Sequence, residues 1–173
     1  MNPGFAVRLH SMRRALTTMI MPAIDPNNQI AQEQAALLSA HLGMLMTQWG
    51  HMDEYARLCL ADLVEVARRL EAKGGSATLA AGDALTAGLQ SPPRRAEAAF
   101  HAISAALEEL VRAADLDGDA VFRAALHRAV LLHGNRQAAR DRSWFIQCGF
   151  DVNAGELTSI DRLLVETETM TNG

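Results

Sequence analysis

Residues 34–52, QAALLSAHLGMLMTQWGHM, decide the fold of this chain. The stretch contains no Asp, Glu, Lys or Arg, although Glu33 precedes it and Asp53 and Glu54 follow it. Its length would suit a membrane span. The polar residues within it, His41 among them, make insertion into lipid costly, so we expect no contact with a membrane. A water-soluble helix remains, and the rest of the chain is organised around it.

A row of apolar residues passes through this stretch and extends beyond both of its ends. Its members lie alternately four and three residues apart, which places them on one face of a helix. We call these twelve residues the bulky row: Ala31, Ala35, Leu38, Leu42, Leu45, Trp49, Met52, Ala56, Cys59, Leu63, Val66 and Leu70. The row predicts a helix over residues 28–73 that starts at an Asn cap and ends at a glycine pair.

The predicted helix is unusually long, and a strict seven-residue repeat drifts around a straight helix. We expect it to be uninterrupted because the row passes through Gly50 without a change of register. A break at residues 49–52 is the alternative, which would make the second helix kinked rather than long.

A second face of the same helix carries only small residues, which we call the small row: Ala36, Ala40, Gly43, Thr47 and Gly50. Glycine inside a helix costs about 1 kcal/mol relative to alanine, so two glycines in one row indicate close approach of another backbone. A helix that is apolar on all sides must also be buried on all sides. We therefore predict a homodimer with the small row at its interface. A central helix covered within one chain explains the pattern equally well.

The remaining elements are also helical. A first helix is predicted over residues 5–20, ended by Pro22. Pro93 is expected to start a third helix, with apolar residues from Ala96 to Ala114. A fourth helix is predicted from Asp119, and the chain is expected to be helical to about Cys148, with a bend or an end at Gly134-Asn135 as the alternative. A last short helix is expected over 158–166.

The glycine-rich segment 74–93 is either a short helix near residues 78–87, capped by Ser76, or a flexible loop. The predicted fold is therefore all-α, an antiparallel helical bundle of four main helices plus short helices. We expect residues 1–173 to form a single domain, because the length suits one domain of ordinary size.

The charge of the chain bears on its partners and its location. The net charge of −4 argues against nucleic-acid binding, which normally requires a basic surface.

Cys59 and Cys148 match no metal or haem motif and are interpreted as reduced thiols, which favours a cytoplasmic protein. The basic N-terminus lacks the long apolar core of a targeting segment, so we expect none.

Catalytic and metal-binding motifs are absent. The run Asp115–Asp119 resembles the start of a calcium loop, but Ala120 and Leu126 occupy the positions that require Gly and Glu. The chain has no Glu-x-x-His motif for a metal bundle and no glycine-rich nucleotide loop. We therefore predict no catalytic residues, no metal site and no cofactor, and leave open whether the protein is an enzyme.

Two groups of polar residues could line a ligand pocket. His133, Arg136 and Arg140 form the densest basic cluster and could hold a phosphate or carboxylate. An ordinary ion-paired surface is the alternative interpretation. His41, Gln48 and Tyr55 follow one another at intervals of seven along the edge of the bulky row, where they could line a groove or simply satisfy each other.

These patterns lead to two functional expectations. The first is a non-enzymatic interaction or accessory protein that forms a homo-oligomer, because chemical motifs are missing while helical contact faces are extensive. The alternative is a ligand-binding or enzymatic helical bundle with a polar pocket between its helices.

Overall fold

The computed structural model of this chain describes residues 4–146 and 151–164. Within these ranges the protein is all-α, without a β-strand, which confirms the predicted fold class. Its long helices are α1 (Phe5–Ala15), α2 (Gln29–Gln48), α3 (Met52–Arg68), α4 (Ser76–Gln90), α5 (Ala96–Asp117) and α6 (Ala120–Trp144). No helix in the described part is long and apolar enough to cross a membrane.

The chain divides into two compact units. The first unit combines Met1–Met52 with Asp141–Leu163, and the second combines Asp53–Arg140 with Leu164–Gly173. Whether residues 1–173 form a single domain stays a prediction.

The long helix predicted over residues 28–73 is interrupted. The α-helical part ends at Gln48, a 3-10 turn spans Trp49–His51, and α3 starts at Met52. The expectation of an uninterrupted α-helix is therefore wrong, and the break lies where the alternative placed it. Glycine favours such a change because it stabilises the α-helix poorly. A seven-residue repeat falls slightly behind the turn of a straight α-helix, and the tighter winding of a 3-10 turn compensates for this difference.

The C-terminal end of this run also differs from the prediction. α3 ends at Arg68, and the N–H groups of Arg69 and Leu70 bond to carbonyl groups only three residues earlier, at 3.2 Å. This tightened turn satisfies the last carbonyls of the helix before the predicted stop at residue 73.

In the first unit, α1 and α2 form an antiparallel pair. The rings of Phe5 and Trp49 stack with their centres 3.8 Å apart, and further along the pair the Arg13 side chain lies over Gly43. The side-chain oxygen of Asn28 accepts a hydrogen bond from the Ala31 N–H at 3.1 Å, so Asn28 is the cap of α2.

The first helical run extends beyond its predicted end at residue 20. After α1 the chain makes one wide π-helical turn, Leu16–Ile20, and then a 3-10 turn, Met21–Ala23. Pro22 does not end the helical run as expected, because it lies in the first turn of the 3-10 helix, where no N–H group is needed.

The second unit has its own hydrophobic core, to which α3, α4, α5 and α6 all contribute. Its members are Leu63, Ala67, Leu85, Ile103, Leu107, Leu110, Ala114, Phe122 and Leu126. The predicted apolar stripe of α5 supplies four of them. The prediction that Pro93 starts α5 is wrong: the helix begins at Ala96, and its cap residue Arg95 is extended.

The glycine-rich segment 74–93 contains α4, so the helical interpretation is confirmed and the helix is longer than predicted. Its N-terminus is capped by the Asp117 carboxylate rather than by Ser76: the Asp117 oxygens accept hydrogen bonds from the N–H groups of Ala77 and Thr78, both at 2.9 Å. Gly74 has φ +152° and its backbone pairs with that of Gly118.

The C-terminal part follows the prediction only in outline. α6 continues as α-helix through Gly134 as far as Trp144. The predicted end near Cys148 lies outside the described residues. Of the short helix expected over 158–166, residues 160–164 are helical, and the final two positions lie outside the described residues.

Candidate functional site

The densest polar cluster of the second unit is centred on Asp62 of α3. Three side chains of α6 converge on this carboxylate: His133, Arg136 and Arg140. They lie three and four residues apart, which places them on one face of α6. The sequence predicted these three residues as a group, but it did not predict Asp62.

The three contacts leave little of the carboxylate free. His133 Nδ1 lies 2.9 Å from Asp62 Oδ2, and Arg140 Nη1 donates to the same oxygen at 2.8 Å. Arg136 donates to Asp62 Oδ1 from Nη2 at 2.9 Å and from Nε at 3.1 Å. Charge-assisted bonds of this geometry are stronger than bonds between neutral groups.

Burial makes this cluster different from the other ion pairs of the second unit. The side chains of Asp62, His133 and Arg140 are only 12%, 11% and 15% exposed, whereas Arg136 is 46% exposed. Burial raises the pKa of Asp62, but hydrogen bonds from Arg140, Arg136 and His133 together outweigh it and lower the pKa to about 2. The carboxyl is therefore ionised at neutral pH.

The charges of the cluster favour electrostatic binding. Two guanidinium groups face one carboxylate, which leaves an excess positive charge. Nearby, Gln137 Nε2 lies 3.3 Å from the Cys59 sulfur and its Oε1 is 3.5 Å from Arg140 Nη1. The Asp62 carboxylate is already bonded on both oxygens, so it is a poor general base. The cluster mainly ties α3 to α6.

The second predicted group of polar residues is spread over different environments. His41 is exposed on α2, whereas Gln48 is buried in the first unit, where its Nε2 donates to the Trp144 carbonyl at 2.8 Å. Tyr55 is half-buried in α3. The ligand-binding roles assigned to all six polar residues stay predictions.

The signal that could have identified Asp62 is present in the sequence. His41, Gln48 and Tyr55 lie seven residues apart, and one further step of seven reaches Asp62. A carboxylate in a row that borders apolar positions is expected to be partly buried and to have a cationic partner. Spacing alone could not indicate that this partner lies on α6.

The small row lies mostly on the surface of the first unit. Ala36, Ala40, Thr47 and Gly50 are exposed. Gly43 is half-buried, because the Arg13 guanidinium carbon would lie 3.5 Å from a Cβ atom added there. The close neighbour of Gly43 within the chain is therefore an arginine side chain. The predicted role of the small row at a dimer interface stays a prediction.

A shallow cavity of about 410 Å³ adjoins the small row. Its lining residues are Arg13, Ala40, Gly43, Met44, Met46 and Thr47. Arg13 is the one charged side chain among them, and the other five offer mainly methyl, thioether and backbone groups. The cavity therefore lacks the convergent polar groups that orient a small ligand.

The bulky row is partly exposed in the first unit and at least half-buried in the second. Leu38, Leu45 and Trp49 are 52%, 37% and 48% exposed, whereas Cys59 and Leu63 are 4% and 1% exposed. Large apolar side chains in one helical row are unusual on a protein surface unless another surface covers them.

The comparisons with known proteins identify no relative. No protein-family model, no curated protein and no solved structure matches this chain. The described residues also contain no group of three or more His, Cys, Asp or Glu side chains that could hold a metal ion.

Proposed function

We propose that this protein is a non-enzymatic interaction or accessory protein that works as a homodimer. The observation that carries the proposal is the exposed part of the bulky row in the first unit, Leu38, Leu45 and Trp49. Exposed apolar surface in water is unfavourable by about 25 cal/mol per Å², so its burial in an interface would stabilise association.

The polar groups of the chain support the same proposal. The most buried charged cluster contains its own counter-charge in Asp62, with both carboxylate oxygens bonded. A catalytic pair normally leaves one acid or base accessible to substrate. The arrangement around Asp62 suits a structural link between α3 and α6 better than it suits catalysis.

Size-exclusion chromatography with light scattering tests this proposal. We expect a molar mass of twice the 18.7 kDa of one chain at micromolar concentration. A mass of one chain throughout the micromolar range would contradict it.

A second candidate function is the binding of a small anionic ligand at the Asp62 cluster. It is favoured by the excess of two arginines over one carboxylate and by the 46% exposure of Arg136, whose guanidinium could reach a phosphate or carboxylate from solvent. Isothermal titration with inorganic phosphate at constant ionic strength tests it. Binding that is lost in Arg136→Gln and kept in Arg69→Gln would support it, and heats that are indistinguishable from dilution would exclude phosphate.

A further inference from the structure

We infer that two copies of this chain pair through the bulky side of α2 rather than through its small row. The surface consists of six exposed apolar residues, which we call the α2 patch: Phe5, Ile30, Leu37, Leu38, Leu45 and Trp49. This inference rests on the proposed dimer and identifies its interface, with a second copy of the chain as the partner.

The α2 patch occupies one side of the first unit. Ile30, Leu37, Leu38 and Leu45 lie within roughly one third of the circumference of α2, at 3.6 residues per turn. Trp49 follows Leu45 by four residues, and the Phe5 ring stacked against it extends the surface onto α1. The stacked rings are rigid anchors of the kind that concentrate binding energy in interfaces.

The area of the α2 patch agrees with the requirement of a stable dimer. Its six side chains are between 37% and 75% exposed. A fully exposed aromatic side chain offers on the order of 150–250 Å², and leucine and isoleucine offer somewhat less, so the patch presents on the order of 500 Å² of apolar surface. A standard interface buries about 800 Å² on each partner, of which about 65% is apolar in homodimers. The apolar area of the patch is thus close to the apolar area that each partner buries in a standard homodimer. One or two exposed leucines would supply much less.

The charge pattern of the patch indicates a second copy as the partner. Residues 34–52 carry no Asp, Glu, Lys or Arg, and the polar side chains exposed within the arc are Gln34 and His41. A two-fold axis through the part of the patch formed by Leu37, Leu38, Leu45 and Trp49 would bring no fixed like charges of residues 34–52 together. A partner with a charged contact surface would lose solvation without gaining an ion pair. This chain itself supplies the uncharged, apolar surface that the patch requires.

The small row is less suited to this role. Four of its members are alanine, glycine or threonine on an exposed surface, and the Arg13 side chain of the same chain already lies over Gly43. A backbone-to-backbone crossing there would first have to displace the guanidinium. Of these two surfaces, the α2 patch is the one that exposes large apolar side chains.

Three double variants of this chain test the interface by sedimentation velocity over a dilution series. Leu38→Gln with Leu45→Gln removes two leucines from the α2 patch. Leu131→Gln with Leu132→Gln is the matched control, because these α6 leucines are 67% and 54% exposed in the second unit. Ala36→Gln with Ala40→Gln places bulk in the small row.

We expect the α2 variant to raise the dissociation constant by about 100-fold or more and the other two variants to change it less than about threefold. Circular dichroism of each variant checks that the helices are retained. A wild-type dimer that the α2 variant leaves intact would overturn this inference alone. A wild-type monomer at every concentration would overturn the proposed function as well.

The fluorescence of Trp49 provides a second measurement that needs no change in the patch. The chain has two tryptophans, and Trp144 is only 8% exposed. In a Trp144→Phe background, emission should shift to shorter wavelength as the concentration rises through the dissociation constant, because Trp49 leaves water. A doubling of mass without a shift would show that the interface lies elsewhere and would overturn the inference.

Discussion

Arg140 Nη1 lies 2.8 Å from Asp62 Oδ2 and joins α6 to α3 within the second unit, with both side chains less than one-sixth exposed. Since His133 and Arg136 bind the same carboxylate, one acidic residue is the shared partner of three basic or ionisable groups. The stability of the second unit should therefore depend on this carboxylate more than on any surface ion pair.

The first prediction concerns removal of this charge. Asp62→Asn should lower the free energy of unfolding by about 2–4 kcal/mol, because Arg140 would remain largely buried without a counter-charge. Urea unfolding followed by circular dichroism measures the change. Asp53→Asn is the matched control on the same helix. It breaks an exposed pair with Arg57, so a loss below about 0.5 kcal/mol is expected. Equal losses in both variants would contradict the role of burial.

The second prediction concerns pH. The pKa of Asp62 is about 2 in the folded chain and 3.8 as a free side chain. A lowered pKa means that the stabilisation is complete above about pH 4 and is lost as the pH falls through about 2. The stability difference between wild type and Asp62→Asn should therefore shrink between these two values. The pKa of Asp151 is also lowered to about 2, chiefly by its hydrogen bond from Arg142. Protonation of Asp151 therefore lowers stability over the same pH range, but equally in wild type and in Asp62→Asn. A difference that is independent of pH down to 2 would contradict this account.

The third prediction concerns the cap of α4. Thr78 is fully buried, and its hydroxyl group is within hydrogen-bond distance of the Asp117 carboxylate at 2.6 Å and of the Ala113 carbonyl at 3.2 Å. Thr78→Val keeps the shape and removes the hydroxyl, which has one hydrogen to donate between these two acceptors, so a loss of about 1–3 kcal/mol is expected in thermal unfolding. Thr86→Val on the same helix removes an exposed bond to the Gly82 carbonyl and should change stability by less than about 0.5 kcal/mol.

The fourth prediction concerns the contact between Gly74 and Gly118. A Cβ atom at Gly74 would lie 2.6 Å from the Gly118 Cα and 2.7 Å from the Asp117 carbonyl oxygen, and φ +152° is itself unfavourable for other residues. Gly74→Ala should lower stability by at least about 1–3 kcal/mol. At Gly134 in α6, an added Cβ atom would meet no other atom within 4 Å. Gly134→Ala should therefore raise stability by up to about 1 kcal/mol. Chemical denaturation of the two variants should therefore give changes of opposite sign.

The sequence was sufficient for the elements that depend on local periodicity. The α5 stripe around Ile103 and Leu107 and the Asn28 cap were predicted because helical spacing and capping chemistry act over a few residues. The uninterrupted long helix was a wrong prediction, because the 3-10 turn at Gly50 changes the winding without changing the spacing of the row in the sequence.

Contacts between distant residues could not be predicted in the same way. The cap of α4 comes from Asp117, far along the chain on α5, while Ser76 was the only local candidate. Asp62 was missed for the same reason, since its partners lie on α6. The basic residues of that site were recognisable as a group because they share one helical face.

The central claim, that the exposed part of the bulky row is covered by a second copy, is tested most directly by sedimentation velocity of the unmodified chain. We expect a reversible shift between one chain of 18.7 kDa and a species of twice that mass as the concentration rises through the micromolar range. A single species of 18.7 kDa at every concentration would contradict it.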